Sequence, residues 1–217
     1  MKKNGFLRPL RPLRYLWPLL AIVTVFTTGC IINIGDINDT KGNGRIIAKE
    51  KTTEQFNSVV LGGVGRINIY PGQKYDGEEY KVIVTTDSNI HDVLEVNVKN
   101  NCLYIDHKNN YSLSPTKLVM DVYLPYLFDI NLTGVGDIYI DGGKASNLEI
   151  ELSGVGNVYA KDYQVKNVEV SLTGVGDIQV WATDNLSGTL TGIGDIKYRG
   201  DPVRNIKVSG IGKVKKL

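Results

Sequence analysis

The residues of this 217-residue chain that could do chemistry recur at fixed intervals. A Gly–aliphatic–Gly phrase appears five times in succession, over Leu132–Ile138, Leu152–Val158, Leu172–Ile178, Leu190–Ile196 and Val208–Val214, with an isolated copy upstream at Gly63-Val64-Gly65-Arg66-Ile67. Its first glycines are Gly134, Gly154, Gly174, Gly192 and Gly210, so the spacing is 20, 20, 18 and 18. Glycine pairs of this kind can cradle phosphate. A dinucleotide fingerprint, however, needs a third glycine and a helix directly after a strand, and no helical period follows any copy. Read this way, the glycines serve chain corners. Asp137, Asn157, Asp177 and Asp195 close four of the copies and form an oxygen-rich column. Calcium could sit on such a column, but Asp or Asn after Gly at a corner ordinarily binds local backbone. No metal ligand set is assigned.

A second acidic column is Asp129, Glu149 and Glu169, with Glu151 beside it. Like charges on neighbouring coils repel by about 1 kcal/mol per pair in water. A cation, the basic patch of a partner, or Lys161 and Lys166 could offset that repulsion. As a glycosidase pair these carboxyls fail, because no apolar pocket raises one of them. Tyr139 and Tyr159 share one outward position, which continues to Gln179 and Lys197, and Trp181 lies one strand end away. Three uses are open for them: a cross-strand aromatic ladder, a partner surface, or a platform for sugar rings. His91 and His107 have no companions for a triad or a metal and read as surface or loop residues. With no nucleophile motif, no catalytic residue and no cofactor are assigned.

These side chains need strands to position them. Leu148–Leu152 and Val168–Leu172 alternate apolar with polar residues, the period of a strand with one buried face. Self-similarity at 18–20 residues is the mark of a repeating coil. The expectation is an all-β fold, a right-handed parallel β-helix whose N-terminal half carries longer β excursions. A separate small sandwich is the alternative for that half. Three ladders are expected to face inward: Leu132, Leu152, Leu172, Leu190 and Val208; Val135, Val155, Val175, Ile193 and Ile211; and Ile138, Val158, Ile178, Ile196 and Val214. Upstream, strands are predicted at Ser58–Leu61, Arg66–Tyr70, Tyr80–Thr85, Val93–Lys99, Cys102–Asp106 and Lys117–Leu124. A two-residue hairpin is expected at Asn100-Asn101, a turn at Pro71-Gly72 and a short helical turn at Ser88–Val93 capped by Ser88. At the C-terminal end, Lys213, Lys215 and Lys216 are placed to block edge pairing.

The first 29 residues read as an export signal: basic residues at Lys2, Lys3, Arg8, Arg11 and Arg14, then an apolar run from Tyr15 to Phe26. That run is too short to span a bilayer as a stable helix. Thr27-Thr28-Gly29-Cys30 resembles a lipoprotein cleavage box, with Cys30 the lipidated residue. Residues 30–44 read as a flexible tether, and residues 45–217 as the folded domain. Lipidation of Cys30 would leave Cys102 without a disulfide partner, as a small buried apolar residue. Removing the first 29 residues turns 25 basic against 23 acidic residues into 20 against 23. A net charge of −3 gives no electrostatic case for binding nucleic acid.

The ordered set Phe56–Gly63, Arg66–Gly72, Leu94–Val98, Leu103–Ile105 and Val122–Leu127, leading into Ile130–Asp137, resembles the head GIN domain, a domain assigned to auto-transporter adhesins. The resemblance covers roughly Arg45 to Leu217. It implies a right-handed β-helical fold in bacterial envelope proteins, many of them lipoproteins, and supplies no catalytic residues. The expected function is that of a non-enzymatic lipoprotein of the envelope, at the outer membrane. It presents a rigid β scaffold as a binding, adhesive or structural surface. The expected contacts are the membrane through the lipid, and a protein or glycan partner or a second copy. A periplasm-facing accessory or sensory role and carbohydrate binding are the alternatives, with a polysaccharide-active enzyme behind them.

Overall fold

In the computed structural model, residues 38–217 are described, and every regular element among them is a strand. The signal segment and Cys30 lie outside these residues. In chain order the strands are β1 (Asn38–Lys41), β2 (Ile46–Thr52), β3 (Ser58–Leu61), β4 (Val64–Pro71), β5 (Lys81–Asp87), β6 (Leu94–Lys99), β7 (Cys102–His107), β8 (Tyr111–Ser114) and β9 (Leu118–Leu124). They continue with β10 (Asp129–Leu132), β11 (Val135–Ile140), β12 (Lys144–Leu152), β13 (Val155–Leu172), β14 (Ile178–Leu190), β15 (Ile196–Arg199), β16 (Val203–Val208) and β17 (Val214–Lys216). β1 falls inside the segment expected to be a tether and pairs in parallel with β8.

The repeats stack as their spacing predicts. β11 pairs in parallel with β13, setting Ile138 against Val158 and Tyr139 against Tyr159. β12 pairs with β13, Leu152 opposite Leu172, and β13 with β14, Leu172 opposite Leu190. β13 has 18 residues and serves two stretches: its first part pairs with β11 and its last with β12. The sheet therefore curls around its apolar side. The N-terminal half joins the same sheet, because β3 pairs with β10 and β4 with β11. It is no separate sandwich. Nor is the sheet purely parallel: β2 with β5, β5 with β9 and β6 with β7 are antiparallel. A uniform parallel helix therefore does not describe the whole fold. Between β6 and β7 local turn chemistry makes the difference, since a two-residue connection can only reverse the chain. Asn100 and Asn101 supply it, at φ 51° and 60°, values that Asn tolerates better than most residues. β5 runs antiparallel to β2 and β9 across long connections. Residues 88–93 form the expected helical turn, Leu94 N donating to Ile90 O at 3.1 Å, but the Ser88 hydroxyl accepts from Asn43 Nδ2 and is not the cap expected.

Two of the three expected inward ladders are inward. Leu132, Leu152, Leu172 and Leu190 are fully buried, as are Ile138, Val158, Ile178 and Ile196, each such side chain contributing about 1.5–3 kcal/mol. Val208 is exposed and Val214 half-buried, because no further coil among the described residues covers the last one. The middle ladder requires a correction. Val135, Val155, Val175, Ile193 and Ile211 do stack in register, but they face outward at 53%, 50%, 45%, 50% and 72% exposure. The reason is the corner between strands: β12 ends at Leu152, the chain bends at Gly154, and β13 opens with Val155 on the outside of that bend. A β-carbon on Gly156 would overlap the carbonyl oxygen of Gly136 in the preceding coil, and its φ of 142° also disfavours a side chain. The backbones press together there, and the aliphatic residue between them has only the outside left.

Candidate functional site

Alternation assembles the outward face. Arg66, Asn68 and Tyr70 project from β4. By register Arg66 and Asn68 stand beside Asp137 and Tyr139 of the next repeat, then Asn157 and Tyr159, then Asp177 and Gln179, while Tyr70 is followed by Asp141, whose N–H donates to Ile69 O. The result is three parallel columns. In the first, each acidic or amide oxygen accepts the backbone N–H of the next member: Asn157 N donates to Asp137 Oδ1 at 3.0 Å, Asp177 N to Asn157 Oδ1 at 2.9 Å, Asp195 N to Asp177 Oδ1 at 2.8 Å and Lys213 N to Asp195 Oδ1 at 3.0 Å. Lys197 Nζ lies 2.5 Å from Asp177 Oδ2 and Lys215 Nζ 2.6 Å from Asp195 Oδ2. Burial pushes Asp177 upward, but the Lys197 ammonium and the Asp195 amide outweigh it and hold the carboxyl below its usual range. Lys215 and the Lys213 amide depress Asp195 likewise. This column braces the corner, each member giving its Oδ1 to a backbone N–H of the next.

The second column is aromatic. Tyr139 and Tyr159 stack with centroids 4.6 Å apart and planes 19° apart, and the guanidinium carbon of Arg66 lies 5.0 Å from the Tyr139 centroid. Both faces of Tyr139 are thus covered, while Tyr159 has Gln179 as its neighbour on the far side. In the third column Tyr70 stacks on Tyr123 at 4.8 Å and 18°. Its neighbour on the other side is Asp141, too short to cover a phenol ring. Asp121 accepts from Asn68 Nδ2 at 2.8 Å and from the Tyr70 hydroxyl at 3.4 Å. Burial, then the Asp121 charge, pushes Tyr70 up to about 12, so its hydroxyl is a proton donor at any physiological pH.

Between the two tyrosine columns lies an open groove of about 540 Å³. Arg66, Asn68, Tyr70, Asp141, Tyr159 and Gln179 line it, with Tyr139 at its floor and Lys161 and Asp162 on its rim. The rim exists because β13 bulges after Ala160: Ala160 faces Val180, yet Gln164 already faces Trp181. Tyr163 anchors the bulge, fully buried, with its hydroxyl donating to Leu127 O at 3.0 Å and accepting from Leu127 N at 3.3 Å.

The residues singled out from sequence thus fall in separate places. Tyr139 and Tyr159 belong to the groove. Trp181 lies beyond it, its ring under Arg199 with 4.3 Å from guanidinium carbon to centroid. Asp129, Glu149 and Glu169 form their own column in register on β10, β12 and β13. Burial, then repulsion from Glu149 and Glu151, raises the Asp129 carboxyl. Neither Lys161 nor Lys166 pairs with this column; Lys161 sits beside Asp162. Arg66, Asn68, Tyr70, Asp141 and Asp162 complete the groove beyond the residues expected from sequence. Arg66, Asn68 and Tyr70 alternate within β4, and the upstream copy Gly63-Val64-Gly65-Arg66-Ile67 puts Arg66 at the place Asp137 holds in the repeat. His91 is buried, not at the surface, and bonds Ile47 O at 3.1 Å. Cys102 is half-buried and free, and burial raises its thiol, so it is no ready nucleophile.

No curated protein matches the chain. Among solved structures it is similar to a putative adhesin from Bacteroides fragilis, with 26% identity over 82% of this chain and 100% of that one and a TM-score of 0.58. Structures of a putative lipid binding protein from Parabacteroides distasonis (21% identity, 83% and 100% covered, TM-score 0.47) and a putative cell adhesion protein from Clostridium sporogenes (16%, 79% and 99%, 0.42) are more distant. The family described as "Putative auto-transporter adhesin, head GIN domain" matches residues 55–142 and, overlapping them, 127–202. With more than half of its length matched, the chain belongs to the head GIN domain family.

Proposed function

We propose that this protein is a non-enzymatic binding protein of the bacterial envelope, which displays the outward face of its curled sheet to a partner in adhesion. The observation that carries the reading is the groove between two tyrosine columns, held on strands whose backbones are already paired. A site built on paired strands is held in place before a partner arrives, which lowers the ordering cost of binding. The adhesin-type family and the Bacteroides fragilis adhesin support the same reading. In it the repeats wind as a right-handed solenoid, Cys30 carries lipid, and the domain stands at the outer membrane. Two or more acyl chains give firm anchoring. The absence of a catalytic role belongs to the same proposal: the depressed carboxyls are tied to lysines, and the raised Asp129 faces other acids.

The test compares whole cells that carry the gene, lack it, or carry Cys30→Ser. Cells with the intact gene should adhere to host-cell or biofilm surfaces, lose that adhesion on deletion, and release the protein to the soluble fraction with Cys30→Ser. Protease added to intact cells should cut the domain. Full protection from protease, with unchanged adhesion on deletion, would favour a periplasm-facing accessory role instead.

A further inference from the structure

We infer that the groove between the two tyrosine columns binds a neutral oligosaccharide. The inference rests on the reading of the protein as a binding protein and names the ligand class of that same site. Three features select it. The first is charge balance: Arg66 and Lys161 are matched by Asp141 and Asp162, so the groove favours neither a polyanion nor a polycation. The second is the mixture of donors and acceptors. Gln179 is an amide that does both, and Asn68 keeps its carbonyl oxygen and second amide hydrogen beside the bond to Asp121. The Asp141 and Asp162 carboxylates accept, and Arg66 and the Tyr159 hydroxyl donate, the Tyr70 hydroxyl being given to Asp121. A sugar hydroxyl also does both, so a hydroxyl-rich ring can satisfy such a wall at many points.

The third feature is the ring surface. Tyr70 and Tyr159 each end an aromatic stack, with Asp141 and Gln179 as their unstacked neighbours. Each therefore leaves one side of a phenol without an aromatic neighbour, a surface suited to the C–H face of a pyranose. Tyr139, with both faces covered, acts as floor. A volume of about 540 Å³ falls within the range of small-ligand sites, and the open shape lets a chain run past both ends. A peptide is less well suited. Peptides add to sheets through free backbone edges, and here the neighbouring strands β4, β11, β13 and β14 are paired with one another.

The full chain is passed over immobilised maltohexaose, cellohexaose and mannan, with heparin as the anionic probe. Retention by at least one neutral glycan is expected, with little dependence on salt. Asp141→Ala and Gln179→Ala, both at outward positions, should each weaken it about tenfold with unchanged circular dichroism. Val155→Ser, on the corner, should leave it unchanged. Retention only on heparin, or neutral-glycan retention insensitive to both groove variants, would overturn the inference. Should no glycan be held while Asp141→Ala still lowers cell adhesion, the glycan assignment fails and the binding-protein reading survives. Should the unaltered chain hold no glycan and deletion of the gene leave cell adhesion unchanged, both readings fall together.

Discussion

Two ladders built from the same repeated phrase have opposite fates. Leu132, Leu152, Leu172 and Leu190 lie fully buried, whereas Val135, Val155, Val175 and Ile193, three residues further along, stack just as regularly in solvent. Residue type does not separate them, since both sets are aliphatic. Position relative to the corner does: each Leu ends a strand that lines the core, and each Val or Ile sits on the outside of the bend that follows. The glycines beside them press on the backbone of the preceding repeat, where a side chain has no room. In a tightly stacked coil, backbone packing decides the facing, and hydrophobicity follows where it can.

Substitutions can test that contrast. The largest effect is expected at Leu152→Ala, which should cost about 2–5 kcal/mol in chemical denaturation by emptying a filled ladder position. Gly156→Ala should follow at about 1–3 kcal/mol, because the new methyl meets backbone on the preceding coil and backbone yields little. A cost near zero there would mean that the coils stand further apart than described.

Next comes the bracing column. Asp177→Ala removes the acceptor for the Asp195 amide and for Lys197 and should cost about 1 kcal/mol. The sign with pH is fixed by the depressed carboxyls of Asp177 and Asp195. Their contribution is fully present above the ordinary carboxylate value of 3.8 and is lost as pH falls through their lower folded values. Acid titration of the unfolding midpoint should lose this component in the variant. The raised Asp129 runs the other way. Its folded state favours the proton, so its contribution is present below 3.8 and lost as pH rises through the higher folded value. Asp129→Asn should therefore raise the unfolding midpoint at pH 7 and give no gain below pH 3.8. The smallest effect belongs to Val155→Ser, expected within about 0.5 kcal/mol of the parent, since the side chain it alters is half in water.

The sequence was most informative where one residue type can meet a local demand. The Asn100-Asn101 hairpin and the strand at Ser58–Leu61 appear as read, whereas the corner Asp and Asn residues bond backbone of the next repeat, 18 or 20 residues on, and not the local backbone expected. The groove was half legible. Tyr139 and Tyr159 could be stacked by counting repeats, because equal spacing in a repeating coil means vertical neighbours. Arg66, Asn68 and Tyr70 fall outside that count, because the upstream copy Gly63-Val64-Gly65-Arg66-Ile67 lies far from the 18–20-residue spacing, although it pairs with the matching phrase of β11.

By itself the sequence determined the all-β class, the 20- and 18-residue registers and the inward Leu and Ile ladders, since period and side-chain size act locally. Tertiary structure decided the rest: the antiparallel pairs of the N-terminal half, the outward turn of the Val ladder, and the meeting of β4 with β11 that creates the groove. Each of these depends on which backbone lies against which, and that is settled only when distant segments compete for the same hydrogen bonds and the same space.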